Sequence, residues 1–196
     1  DLGINALYLT PVFKANSNHK YNTTDYRTVD PQFGSNADLV ELVTRAHDMG
    51  MRVMLDIVFN HCDASHPFFQ DVLKYGKQSR YYSYFIIDGD KPDLQSGNYA
   101  RFADCKYMPK WNTNDAEARQ YLIQIGTEYL RVYNVDGLRL DVADEVSHTF
   151  WQDFRRAVKE VNPDALLIGE VWHDNTHYLR GDQFDGVMNY KLQKIL

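Results

Sequence analysis

The stretch that most limits what this chain can fold into is Met51 to His61, MRVMLDIVFNH. A near-continuous apolar run of this length marks a strand buried on both faces of a parallel sheet. A sheet with one wet face would alternate polar and apolar residues instead. The neighbouring segments agree. Ala6 to Val12, ALYLTPV, is a second apolar run, stopped by Pro11. Between the two, Ser35 stands at an N-cap position with Asp38 three residues on, a capping-box pattern. Leu39, Leu42, Val43, Ala46 and Met49 then recur at helical spacing until Gly50. The residues from Lys14 to Gly34, rich in Asn, Tyr and Thr, read as loop.

Farther along, Asn114 is the expected cap of a helix from Asp115 to about Tyr133, with Tyr121, Leu122, Ile125 and Tyr129 on its inner face. VDGLRLDV (135–142) is the next strand, Thr149 to Val161 a helix ended by Asn162-Pro163, and ALLIGEVW (165–172) a further strand. FDGVMNY (184–190) starts another. Strands alternating with helices in units of ordinary length give a parallel α/β fold. No GxGxxG or GxxxxGK[ST] follows any strand, which removes the usual mark of a nucleotide-binding doubly wound sheet. Polar residues instead gather at successive C-terminal strand ends: Asp56 with Asn60 and His61, then Arg139 with Asp141, then Glu170. That is where a (β/α)8 barrel assembles its active site. The expected fold is therefore an α/β (β/α)8 TIM barrel, incomplete at about five strands. A small subdomain is inserted after the strand that ends near Asn60. Residues 1–61 and 114–196 are expected to form the two barrel parts, and 62–113 the insert.

Arg139 and Asp141 are two residues apart on a strand and share a face. Leu166, Ile168 and Glu170 do the same on the next strand. Three unpaired carboxylates around one mouth, Asp56, Asp141 and Glu170, would repel one another and raise at least one pKa. One carboxyl that keeps its proton beside one that has lost it is what cleavage of a glycosidic bond needs. The net charge of −6 speaks against nucleic acid or an anionic membrane as partner. No apolar run reaches bilayer length, and no signal peptide opens the chain. Cys62 and Cys105 read as reduced thiols of a cytoplasmic protein. Their spacing with His61 and His66 matches no common zinc pattern, so no metal site is expected.

The motifs also resemble those of the α-amylase family of glycoside hydrolases. DIVFNH (56–61), GLRLDVADE (137–145) and GEVW (169–172) resemble the family's first three conserved regions. MPKWN (108–112) resembles the MPKLN segment of the neopullulanase, cyclomaltodextrinase and maltogenic amylase group, with Trp111 where Leu is usual. GDQFDGVMNY (181–190) also looks like that group.

The resemblance implies a retaining hydrolase of α-1,4-glucosidic bonds in cyclodextrins, pullulan, starch or maltooligosaccharides. Asp141 would be the nucleophile, and Glu170 the general acid and then base. Arg139 would hold Asp141 ionised and oriented. His61 would bind the sugar under attack and Tyr21 would supply its aromatic platform. Asp144, Glu145 and Trp172 would meet sugars on the leaving-group side, while Asp56 and Asn60 brace the site. No cofactor is implied. A calcium beside the first region, held in many relatives with a His shortly after the nucleophile, is in doubt because Glu145 stands there; another could lie outside this chain. The group often dimerises through an N-terminal domain, which implies a homodimer for the intact protein. The chain starts and stops as if inside helices and is expected to be a piece of a larger protein. The family's further catalytic-site aspartate lies on a later strand, so this piece alone is expected to be inactive. The alternatives are an amylase-like barrel that only binds partners, which would be expected to lack the nucleophile or the acid, and a barrel for phosphorylated substrates, which needs a later glycine-rich loop.

Overall fold

The computed structural model describes residues 3–193 and 195. Five parallel strands form one sheet in the order β1 (Ala6–Leu9), β4 (Arg52–Ile57), β5 (Gly137–Leu140), β6 (Leu166–Gly169) and β7 (Gly186–Val187). Spatial order follows chain order, as in a (β/α)8 barrel, and these strands are part of one. Helices α1 (Asn36–Asp48), α3 (Ala116–Tyr133) and α4 (His148–Val161) make the first three returns between them.

Because strand side chains alternate, each strand presents one row outward and one inward. The outward row, Val53, Leu55, Ile57, Leu138, Leu140 and Leu167, is fully buried. It shares one apolar core with Val43 of α1, Leu122 and Ile125 of α3, and Phe150 and Phe154 of α4. Helices α3 and α4 meet closely at Gly126, where a Cβ would stand 2.6 Å from Phe154 Cζ. The inward row is different. Asp56 pairs in register with Arg139, and Arg139 with Ile168, two residues before Glu170. Its upper end is buried and charged, whereas Tyr8 (46 %) and Leu166 (49 %) are exposed.

The capping box at α1 forms as expected: Ser35 Oγ accepts from Asp38 N at 3.3 Å and Asp38 Oδ2 from Ser35 N at 2.7 Å. Other details differ. Residues 14–34 are not all loop, since β2 (Phe13–Ala15) and β3 (Thr23–Val29) form an irregular antiparallel hairpin. Helix α3 is capped by Asp115, one residue later than expected, which accepts from Glu117 N and Ala118 N at 3.1 and 2.9 Å. Ser147 caps α4, which starts at His148 rather than Thr149. Strand β4 ends at Ile57, so Asn60 and His61 lie beyond it. Leu42 and Met49 are exposed, because only Leu39, Val43 and Ala46 of α1 face the core. Of the helix end expected at Asp1–Gly3, only Gly3 falls within the described residues.

Between β4 and α3 lie α2 (Pro67–Tyr75), two single 3-10 turns and isolated antiparallel bridges. Its aromatics pack on one another: Phe68 stacks on Tyr81 at 4.0 Å, and Phe85 on Trp111 at 4.9 Å. The segment returns to the end of β4 through Trp111 N, which donates to Asn60 O at 3.0 Å, and Cys62 N, which donates to Pro109 O at 3.1 Å.

Candidate active site

At the C-terminal ends of β4, β5 and β6 three carboxylates share one guanidinium. Arg139 Nη1 lies 3.0 Å from both oxygens of Asp56 and 2.8 Å from Asp141 Oδ1. Its Nη2 lies 2.9 Å from Glu170 Oε2. The carboxylates are thus not unpaired, as the strand-end pattern alone led one to expect. All four side chains are buried. Although burial opposes its charge, Asp56, Asp141 and Glu170 hold Arg139 firmly protonated.

One cation cannot satisfy three buried anions. Burial foremost, then the charge of Asp56, push the Asp141 carboxyl up to about 8 against the pull of Arg139. Arg139 does lower Asp141, as expected, but burial and the neighbouring acids that share the guanidinium outweigh it. Burial likewise raises Asp56, again opposed by Arg139. A proton retained in this cluster near neutral pH belongs to the cluster as a whole.

Two tyrosines complete the setting of Asp56. Tyr8 OH donates to Asp56 Oδ2 at 2.5 Å and Tyr21 OH to the same oxygen at 3.0 Å. The Tyr21 ring also lies 5.9 Å from the Arg139 guanidinium carbon. Glu170 is held from four sides. Its Oε2 accepts from Val142 N at 2.9 Å, and its Oε1 accepts from Trp172 Nε1 at 3.2 Å and Tyr190 OH at 3.0 Å. Val142 has a left-handed backbone (φ 46°), unusual for a β-branched residue, and this turns its N–H toward the acid.

Asp141 and Glu170 open into a cavity of about 920 Å³. Tyr21, His61, Arg139, Asp144, Glu145 and Trp172 all line it, so the structure brings together the whole expected substrate-binding set. His61 stacks on Phe102 at 4.8 Å, and burial pushes its imidazole down to about 4, leaving it neutral. Its Nε2 is a buried atom with no partner. Asp144 does more than line a rim, since its Oδ2 accepts from Trp172 N at 3.0 Å. Asp56 and Asn60 do not line the cavity and lie beneath it.

Sequence reasoning missed Phe102, Tyr190 and Tyr8. Tyr190 stacks on Trp172 at 3.8 Å and Phe102 on His61, so aromatic faces stand at two places along the cavity. Tyr8 was the findable one, because it shares the inward row of β1.

Lys110 bears on the fit of the site to calcium. Its Nζ lies 2.9 Å from Glu145 Oε2 and 3.3 Å from Glu145 O, while Asn60 Nδ2 reaches the same carboxylate at 3.4 Å. An ammonium already occupies the position of positive charge among these donors, so they do not fit a calcium ion. Among the described residues no group of three or more His, Cys, Asp or Glu side chains is placed to hold a metal ion, and Cys62 and Cys105 are free thiols.

The geometry coincides with that of known proteins. The profile of the family described as "Alpha amylase, catalytic domain" matches residues 1–196. A cyclomaltodextrinase of Geobacillus thermopakistaniensis (strain MAS1) is 51 % identical over 193 residues, which cover 98 % of this chain and 33 % of that protein. An intracellular maltogenic amylase of Bacillus subtilis is 48 % identical over 190 residues, covering 97 % and 32 %. A solved cyclomaltodextrinase structure superposes with a TM-score of 0.94 at 48 % identity, covering 98 % of this chain and 33 % of that one. The chain thus spans about one third of the length of the curated relatives it matches.

Proposed function

This chain belongs to the α-amylase family of glycoside hydrolases, and from that membership we propose that the intact protein is a retaining hydrolase of α-1,4-glucans. The observation that carries the reading is the division of one guanidinium between Asp141 and Glu170 at the ends of adjacent strands. Two carboxylates tied to neighbouring nitrogens of a single Arg are held close together. That favours the roughly 5–5.5 Å spacing of retaining enzymes over the roughly 6.5–9.5 Å that leaves room for an attacking water.

With the proton that the cluster retains lodged on Glu170, Asp141 is the anion that attacks the anomeric carbon, and Glu170 protonates the departing glycosidic oxygen. The bond from that carbon to the leaving oxygen breaks as the bond to Asp141 forms. Glu170, now a carboxylate, takes a proton from water, which displaces Asp141 and restores the original configuration. Neutral His61, in the cavity wall, hydrogen-bonds hydroxyls of the sugar under attack, and Tyr21 supports its ring. Trp172 and Glu145 flank the sugar that leaves. No cofactor enters these steps.

The test uses the intact protein with cyclodextrin, pullulan and soluble starch in parallel, without added cofactor, products being followed by chromatography. Cyclodextrin is expected to be cleaved faster than starch. Binding of all three without cleavage of any would replace this reading with that of a non-catalytic module. A cytoplasmic location is proposed with it, supported by the two free thiols and by the relative named as intracellular. No helix among the described residues is long and apolar enough to cross a membrane. Fractionation of the producing cells that recovers the activity outside the cytoplasm would refute that location.

A further inference from the structure

Among the described residues four other than glycine have a left-handed backbone: Lys20 (φ 66°), Ala103 (φ 46°), Asn134 (φ 55°) and Val142 (φ 46°). Asn134 ends α3, where that conformation is ordinary. The other three each adjoin a residue that lines the cavity, namely Tyr21, Phe102 and Asp141. Such conformations persist only where surrounding contacts over-determine them.

At Lys20 those contacts can be named. The residue is 3 % exposed, and its ammonium lies 2.7 Å from Asp30 Oδ2, also buried. Its amide donates to Ser17 Oγ at 3.1 Å. Asp30 is itself fixed, accepting from Ala15 N at 3.3 Å and Gln32 N at 3.0 Å. The ring of Phe33 lies 5.8 Å from the ammonium. Lysine is almost never buried so fully, and an enclosed ion pair adds little to stability, because desolvation offsets the attraction. Stability therefore does not account for this pair. What it does fix is the turn that carries Tyr21, one peptide bond away, with its hydroxyl on Asp56.

We propose that Lys20 is a positioning residue for the reaction: pinned to Asp30, it holds the left-handed turn that aims Tyr21 at the Asp56–Arg139 pair and at the sugar. Lys20 touches neither substrate nor reacting atoms and acts through Tyr21 alone. The inference rests on the glycosidase reading of the site.

The intact protein is assayed on whichever glucan it cleaves, as wild type, as K20M/D30N, as Y21A and as the triple variant. Removing both charges leaves no stranded buried ion, so the thermal midpoint of K20M/D30N is expected within a few degrees of wild type. Its kcat/KM is expected to fall at least about tenfold. In the Y21A background, which removes both the hydroxyl and the ring, the same pair of changes is expected to cost less than about twofold, since the effect passes through Tyr21. Wild-type kcat/KM in K20M/D30N, or losses that simply multiply in the triple variant, would overturn the proposal. Should K20M/D30N not fold, K20M alone keeps both Asp30 oxygens as acceptors for the amides of Ala15 and Gln32. It is expected to lose about threefold or more with the same dependence on Tyr21, and full activity or independence of Tyr21 would again overturn the proposal. A wild-type protein inactive on every glucan would instead refute the glycosidase reading itself.

Discussion

Replacing Asp141 by Asn in the intact protein is expected to abolish glucan hydrolysis while raising the melting temperature at pH 8. Loss of the attacking group should cost about 10⁴-fold or more in kcat. The stability gain follows from the same burial that raises Asp141 to about 8 from an ordinary 3.8. A carboxyl with a raised pKa in the folded state binds its proton more tightly there than in the unfolded chain. Its favourable contribution is complete below about pH 3.8 and is lost as the pH climbs through about 8. At pH 8 the wild type therefore carries a buried anion that Asn lacks, and the variant should melt at the higher temperature. Arg139 keeps Asp56 and Glu170 as partners, so no cation is stranded. Calorimetry at pH 8 and pH 4 checks both parts: the gain should be present at the first and shrink at the second. A variant that melts below wild type at pH 8 would show that the attraction of Arg139 outweighs burial.

The second large effect is expected at Glu170, whose replacement by Gln should slow oligosaccharide cleavage by about 10²–10⁴-fold. A loss of that size could also come from a disturbed fold, so the leaving group is made the control. From α-maltosyl fluoride the fluoride departs without a proton, and azide then attacks the glycosyl-enzyme without a general base. With that donor and azide together, Glu170→Gln should return close to wild-type turnover and release α-maltosyl azide. An equal loss on the fluoride would remove Glu170 from the proton-transfer role and leave it as a partner of Arg139.

How much could be read from the sequence varied with how each part is encoded. The parallel strands stood out because burial on both faces leaves an apolar run, and period two placed Arg139 with Asp141 and aligned Ile168 with Glu170. The β2–β3 hairpin was hidden because Thr23–Val29 carries mostly polar side chains and its register is irregular. Phe102 and Tyr190 come from segments without sustained periodicity, so no spacing points at them. The cap of α3 slipped by one residue because Asn114 and Asp115 are adjacent and equally suited to the role. The upward shift of Asp141 was not legible for a different reason. A pairwise rule, cation beside anion, describes Arg139 and Asp141 correctly. The outcome depends on Asp56 and Glu170 drawing on the same guanidinium, which only the three-dimensional arrangement reveals.

That sharing also bears on how the site behaves through a reaction cycle. In the proposed chemistry Arg139 starts opposite two anions, Asp56 and Asp141, with the proton on Glu170. Once the sugar is esterified to Asp141, that carboxylate is gone and Glu170 has become one in its place. The guanidinium again faces two anions, now Asp56 and Glu170, without having moved. The negative charge has passed from one arm of a fixed fork to the other, so the dipoles packed around Arg139 suit the first half-reaction and the second equally well.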